Sequence, residues 1–196
     1  MTILSEIWAI WTSGGWIMIP LFLLAFLLYA QAFQLVLYIR RASLRPEGEP
    51  HWFEWVRFPE KAEGRVREII EYTQDGVRTS DQVRNRFEEV RGALISLIDR
   101  RTFFVSTLVA AAPLMGLLGT VMGMLQTFFG ISTSGGAETA GVVAAGISEA
   151  LVTTETGLVI ALPGLFLVMT IQRQRAQLEA RLARLESLTL SHLKLA

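Results

Sequence analysis

Two carboxylates and a row of hydroxyls lie inside one long apolar segment. The stretch S-E-A-L-V-T-T-E-T-G-L-V-I-A-L-P, from Ser148 to Pro163, holds Glu149, Thr153, Thr154, Glu155 and Thr156, with Thr139 a few turns upstream. At the centre of a bilayer an acidic side chain costs roughly 2.5 to 3.5 kcal/mol on insertion scales, so one that persists faces a bundle interior, a partner or a water path. Carboxyls can exchange protons, and hydroxyls can relay them or coordinate an ion, so the set suits ion or proton passage along a narrow wet interface.

At ~100° per residue, Glu149, Thr153 and Thr156 share one helix face, whereas Thr154 sits about 140° from Glu149. A tube of several copies can still expose both. The residues alone leave a second reading equally open, in which Glu149 is paired structurally with a basic or hydroxyl group. Glu155 points roughly 120° away from Glu149, towards a neighbouring subunit, a partner or lipid.

Other chemistries fit poorly. G-L-L-G-T-V-M-G lacks the Lys-Ser/Thr of a phosphate loop and lies within an apolar block. His51 and His192 fall outside the apolar blocks, there is no H-E-x-x-H, and no Ser/His/Asp set can be assembled there. Cysteine is absent, which excludes disulfides and thiolate metal sites. The chain is expected to be no enzyme and to need no metal, cofactor or nucleic acid.

The elements that must carry these residues are helices in a membrane. Of 196 residues, 52% are hydrophobic, and they cluster into three long blocks. All 18 Lys and Arg fall between Arg40 and Arg101 or between Arg173 and Lys194. The positive-inside rule places both basic regions in the cytoplasm, giving three crossings with the N-terminus out and the C-terminus in. The expected fold is an all-α integral membrane protein with long helices extending into a cytoplasmic helical domain.

Residues 1–15 suit an amphipathic helix on the outer membrane surface, with Trp8 and Trp11 at headgroup level. Ala30-Gln31-Ala32 has the form of a signal-peptidase site, but no basic region precedes it and the apolar run continues to Ile39, so no cleavage is expected. The first span is 16–39, closed by Arg40 and Arg41. A cytoplasmic region follows over 40–101, in which Pro46, Pro50 and Pro59 mark an irregular start and Gly64 and Gly76 bound a short helix. The cluster around Trp52 and Trp55 reads as core packing in preference to membrane contact. Ser80-Asp81 is placed to cap a helix in which Val83, Phe87, Val90, Leu94 and Leu97 form an a/d seam, and nothing interrupts that helix before Thr102.

The second span, 102–131, contains A-A-P-L-M-G-L-L-G-T-V-M-G-M. Its small-xxx-small pairs, Ala112 with Gly116 and Gly119 with Gly123, allow close helix approach in lipid, and Pro113 should bend it. Thr120 is its best-placed hydroxyl, although a lone Thr in a span most simply bonds back to its own helix. A short outer loop, 132–139, leads to the third span at 140–172. There Ala140, Ala144 and Ser148 form one small-residue stripe, and Gly157 and Ala161 begin another. The tail, 173–196, presents Leu178, Leu182, Leu185 and Leu188 on one side, as a cytoplasmic helix packing on the Ser80 helix would.

Together, A-A-P-L-M-G-L-L-G-T-V-M-G-M and G-I-S-E-A-L-V-T-T-E-T-G-L-V-I-A-L-P-G strongly resemble the ExbB/TolQ branch of the ExbB/TolQ/MotA proton-channel family. Three spans rather than four argue against the flagellar-stator branch. The resemblance implies a pentamer in the bacterial inner membrane, surrounding transmembrane helices of an ExbD/TolR-type partner that each bear an aspartate. It implies that protons pass down their gradient while work reaches a TonB- or TolA-like protein, with TonB-driven outer-membrane import as the leading role. A TolQ-like subunit for envelope maintenance is the alternative, and a passive membrane scaffold a further one.

Carried onto this chain, the family's pore threonines fall on Thr120 and Thr154, its third-span glutamate on Glu149 and its helix-bending proline on Pro163. The proton acceptor is then the partner's aspartate. From position, Arg40, Arg41, Arg100, Arg101, Arg173 and Arg175 form basic rims expected to hold anionic headgroups.

Overall fold

The computed structural model describes residues 13–42, 44, 51–133 and 139–195. The expected surface helix of 1–15 and the outer loop lie largely outside these residues, as do Pro46 and Pro50. Five α-helices are present among them: α1 (Met18–Ala42), α2 (Trp52–Arg57), α3 (Gly64–Gln74), α4 (Ser80–Thr133) and α5 (Thr139–Leu195). A 3-10 turn, Pro59–Lys61, separates α2 from α3. Helices α1, α4 and α5 are each long and apolar enough to cross a membrane, and the described residues contain no strand. The chain is an all-α, multi-pass membrane protein.

The length of α4 follows from its sequence. Between Ser80 and Thr133 Pro113 is the one proline; it removes a single backbone donor, which one helix can absorb where several breakers could not. Its start differs from expectation: Ser80 is already helical, and the Gln82 side-chain oxygen accepts from the backbone N–H of Arg78 at 2.9 Å and of Thr79 at 3.2 Å. The carboxamide reaches back to N–H groups ahead of the helix, while the N–H groups of Gln82 and Val83, which a capping hydroxyl was expected to serve, bond the Thr79 carbonyl instead.

Contacts divide the chain into two compact units, one from the described parts of 1–32 with 103–168, the other from those of 33–102 with 169–196. In the first, Leu24, Leu28 and Ala32 of α1 are buried with Val105, Val109 and Ala112 of α4 and Ala161 and Val168 of α5. The Tyr29 hydroxyl donates to the Ile160 carbonyl at 2.9 Å, fixing α1 against α5. Phe22, Phe26, Leu117, Phe129, Leu151 and Phe166 remain exposed on the same helices. In lipid such an outward apolar surface costs nothing, and close van der Waals packing, not water exclusion, holds the helices together.

The second unit has a water-type core. Leu35 and Ile39, Trp52 and Val56, Ile69 and Ile70, Val83 and Phe87, and Ile171, Leu178, Leu182 and Leu185 are buried in one cluster. Trp52 is fully buried, so the aromatic cluster does pack inward through it, while Phe53 stays exposed. The Gln74 amide donates to the Val56 carbonyl at 3.0 Å and joins α3 to α2.

The a/d seam of α4 begins as expected, with Val83, Phe87 and Leu94 buried, but at its end Leu97 is exposed and Ile98 is fully buried in its place. A straight helix drifts about 20° per heptad against a strict 3.5-residue repeat, so a seam extrapolated over two heptads moves onto the next residue.

Candidate functional site

Helices α4 and α5 meet along glycines on both sides. A Cβ at Gly116 would lie 3.0 Å from the Thr153 carbonyl oxygen, and one at Gly157 would lie 2.7 Å from that of Ala112. At Gly123 it would lie 2.7 Å from the Gly146 carbonyl oxygen, and at Gly119 2.2 Å from Thr153 Oγ1. These helices therefore touch backbone to backbone, which is the use of small-xxx-small pairs in lipid.

The α5 face engaged here differs from one sequence expectation. Gly146, Ala150, Thr153 and Gly157 are buried, whereas Ala140, Ala144 and Ser148 are exposed. Gly146 and Ala150 were as visible in the sequence as the other small pair; two adjacent stripes compete, and only packing chooses. Pro113 and Pro163 both lie within their helices, Pro113 beside Ala112 of this seam.

The hydroxyls separate into distinct environments. Thr153 is fully buried and donates within its own helix, to Ala150 O at 2.9 Å and Glu149 O at 3.2 Å. It fills space against Gly119 and is withdrawn from any wet path. Thr154 is half-buried, and its hydroxyl lies 3.2 Å from the Gly116 carbonyl oxygen of α4 and 3.3 Å from that of Ala150. Thr120 is half-buried and bonds back to Leu117 O at 2.7 Å, the simplest expectation for a lone threonine. One turn from Gly116 on α4, Thr120 lies on the same side of the seam that Thr154 meets from α5.

Glu149 lies elsewhere. It is half-buried, and its carboxyl is set against Gly15, where a Cβ would come within 1.7 Å of Oε1. Seen down α5, Glu149 falls about 140° from Thr154, so the candidate carboxylate and the candidate hydroxyl flank opposite sides of the packed face. Glu155 is exposed, amid exposed Leu151, Leu158, Val159 and Leu162.

Of the basic residues, Arg40, Arg41, Arg100 and Arg173 are exposed, and Arg101 stacks over Tyr38 with its guanidinium 5.6 Å from the ring centre. Arg175 is ion-paired within the protein. It forks onto Asp99 through contacts of 2.9 and 3.0 Å and also pairs with Glu179. The Asp99 hydrogen bond holds its guanidinium even above the ordinary arginine range, so its charge is matched within the protein. An acidic residue lies opposite this member of the expected rim, which spacing along one helix does not reveal.

Comparison with known proteins bears on this arrangement. Residues 62–184 match the model of the MotA/TolQ/ExbB proton channel family. The biopolymer transport protein ExbB of Salmonella typhimurium is 32% identical over 115 residues, which is 59% of this chain and 47% of that protein. An ExbB-like biopolymer transport protein of Synechocystis is 39% identical over 85 residues, 43% of this chain and 40% of its own. The Tol-Pal system protein TolQ of Haemophilus influenzae is 39% identical over 69 residues, 35% of this chain and 30% of its own. The chain thus spans less than half the length of each of these relatives.

Proposed function

The chain belongs to the MotA/TolQ/ExbB proton channel family, and from that premise we propose that it is a proton-motive-force-driven motor subunit of the bacterial inner membrane. In this reading it forms a pentamer around the transmembrane helices of an ExbD-like partner and energises a TonB-like protein for outer-membrane import. Protons are the coupling ion, and the N-terminus lies outside and the C-terminus inside. Each proton crossing ~100 mV releases roughly 2.3 kcal/mol, so several are needed per working step.

The observation that carries the reading is Thr154. Its hydroxyl reaches from α5 across the glycine seam to α4, bonding the Gly116 carbonyl at 3.2 Å while remaining half-exposed. A hydroxyl so held keeps its oxygen fixed and its lone pairs open to water or to a partner's carboxyl. Thr120 borders the same side, and together they would line the tube that encloses the partner helices. Glu149, on the opposite flank, would act at subunit contacts or in proton delivery, and the acceptor would be the partner's aspartate. The exposed Arg40, Arg41, Arg100, Arg101 and Arg173 would hold anionic headgroups.

The likeness to a Tol-Pal system protein supports a second reading, a TolQ-like subunit for envelope maintenance; the neighbouring genes separate the two. The test of the motor is energised uptake, or the host's envelope phenotype, with Thr154→Ala and Glu149→Ala expressed at wild-type level and checked for assembly with the partner. Assembly retained with energised function lost supports the motor. Assembly and function both retained would favour a passive scaffold.

A further inference from the structure

The contact between Glu149 and the start of α1 has a geometry that a helix position alone does not reveal. Gly15 has φ +64°, and a Cβ there would lie 1.7 Å from Glu149 Oε1 and 2.5 Å from its Cδ. The carboxyl therefore occupies the space that any side chain at position 15 would need. Gly14 is buried, and a Cβ on it would lie 3.2 Å from Val152 Cγ1, one turn along α5 from Glu149. A Cβ at Gly14 would also lie 2.6 Å from Met18 Cγ, so that glycine is closed in by both α1 and α5.

The turn leads directly into α1. The Met18 N–H donates to Gly15 O at 3.3 Å and the Ile19 N–H to Trp16 O at 3.2 Å. The N-terminal end of a helix carries partial positive charge, which favours a carboxylate nearby.

We propose that Gly15 is a positioning residue for Glu149: the Gly14-Gly15 turn seats the Glu149 carboxyl against the outer start of α1. The seat ties the rotational setting of α5 to α1. A side chain at position 15 would drive the Glu149 carboxyl into another rotamer, off the turn, or force α1 and α5 apart. The functional consequence rests on the reading of Glu149 as part of the proton-coupled step, whereas the seat is a matter of packing.

Position 15 has two reasons to be glycine, and the chain supplies a control for one of them. Gly76 has φ +63°, yet a Cβ there meets nothing within 4 Å. Gly76→Ala therefore reads the cost of a left-handed backbone without a displaced neighbour.

The experiment uses the full chain assembled with its partner in native membranes. It follows the rate at which a hydrophobic carbodiimide modifies Glu149, site-resolved by mass spectrometry, alongside energised uptake. Gly15→Ala is expected to raise the modification rate several-fold, because the carboxyl is pushed off the turn. Gly76→Ala is expected to leave it unchanged. Glu149→Asp, shorter by one methylene, is expected to bring the rate at position 149 in the Gly15→Ala chain back to that of Glu149→Asp alone.

An unchanged rate in Gly15→Ala overturns the seat. Should Gly15→Ala fail to accumulate, recovery of the assembly by Glu149→Asp supports the seat and no recovery overturns it. If the rate rises and is reversed as expected while uptake is normal in every variant, the seat stands and the assigned role of Glu149 in coupling falls.

Discussion

Thr153 stands where a side chain at Gly119 would have to be: a Cβ at position 119 would lie 2.2 Å from Thr153 Oγ1, 2.4 Å from its Cβ and 2.9 Å from its Cγ2. The seam between α4 and α5 is therefore a matched pair of shapes, and its tolerance can be stated position by position.

Gly119→Ala should destabilise the assembled protein by about 1–3 kcal/mol, the range for overpacking a close-packed site. Thr153→Ala in the same chain removes two of the three obstructing atoms and keeps the Cβ, so recovery should be partial. Gly123→Ala should cost a comparable amount, but there the obstruction at 2.7 Å is the Gly146 carbonyl oxygen. Ala150→Gly should rescue it only weakly, since it removes the Ala150 Cβ at 3.0 Å but leaves the nearer Gly146 carbonyl oxygen in place. Thermal unfolding of the detergent-solubilised complex reads all four.

At Thr154 the decisive comparison is serine against alanine. Thr154→Ser keeps a donor for Gly116 O and Ala150 O and should retain energised function. Thr154→Ala should lose function while costing only about 0.6–1.7 kcal/mol of stability, the measured scale for hydrogen bonds between membrane helices. Uptake assays on membranes with matched amounts of assembled protein check this; equal loss in both variants would point to shape instead of the hydroxyl.

The Asp99 and Arg175 fork joins α4 to α5 in the second unit, with side chains 51% and 30% exposed. Solvent screening keeps such a pair small, so Asp99→Asn should cost about 0.5–1 kcal/mol, less at high salt. Arg175→Lys keeps the charge but cannot make both contacts and should behave like Asp99→Asn. Denaturation of the complex at low and high salt decides it.

Glu54 accepts a hydrogen bond from Lys61 at 2.6 Å, which holds its carboxyl below the ordinary glutamate range. A lowered folded-state pKa stabilises above the unfolded value of about 4.3 and is lost as pH falls through the folded value. Wild type and Glu54→Gln should therefore differ slightly at neutral pH and converge in acid below that range. Because both side chains are exposed, the difference should also shrink with salt. Melting curves across pH test it.

Much of this molecule is legible in its residue order. Three apolar blocks set between two basic regions dictate three membrane helices, because unsatisfied backbone in lipid leaves a helix as the simplest solution. The pairs Ala112 with Gly116 and Gly119 with Gly123 announce a close helix contact, because small residues at that spacing share a face. The uninterrupted run through Thr102 implies a helix continuous beyond the apolar block, and α4 is continuous there.

Residue order was silent where two faces of one helix were equally qualified or where the neighbour came from far along the chain. Ala140, Ala144 and Ser148 form as good a small stripe as Gly146, Ala150 and Gly157, and only the second is buried. Ile98 displaced Leu97 from the core because drift accumulates along a straight helix. Arg175 found Asp99 across 76 positions, and Glu149 came to rest on Gly15. Periodicity reports the face a residue occupies on its own helix; the identity of what lies opposite depends on how separate helices are rotated and offset, and that is settled by packing.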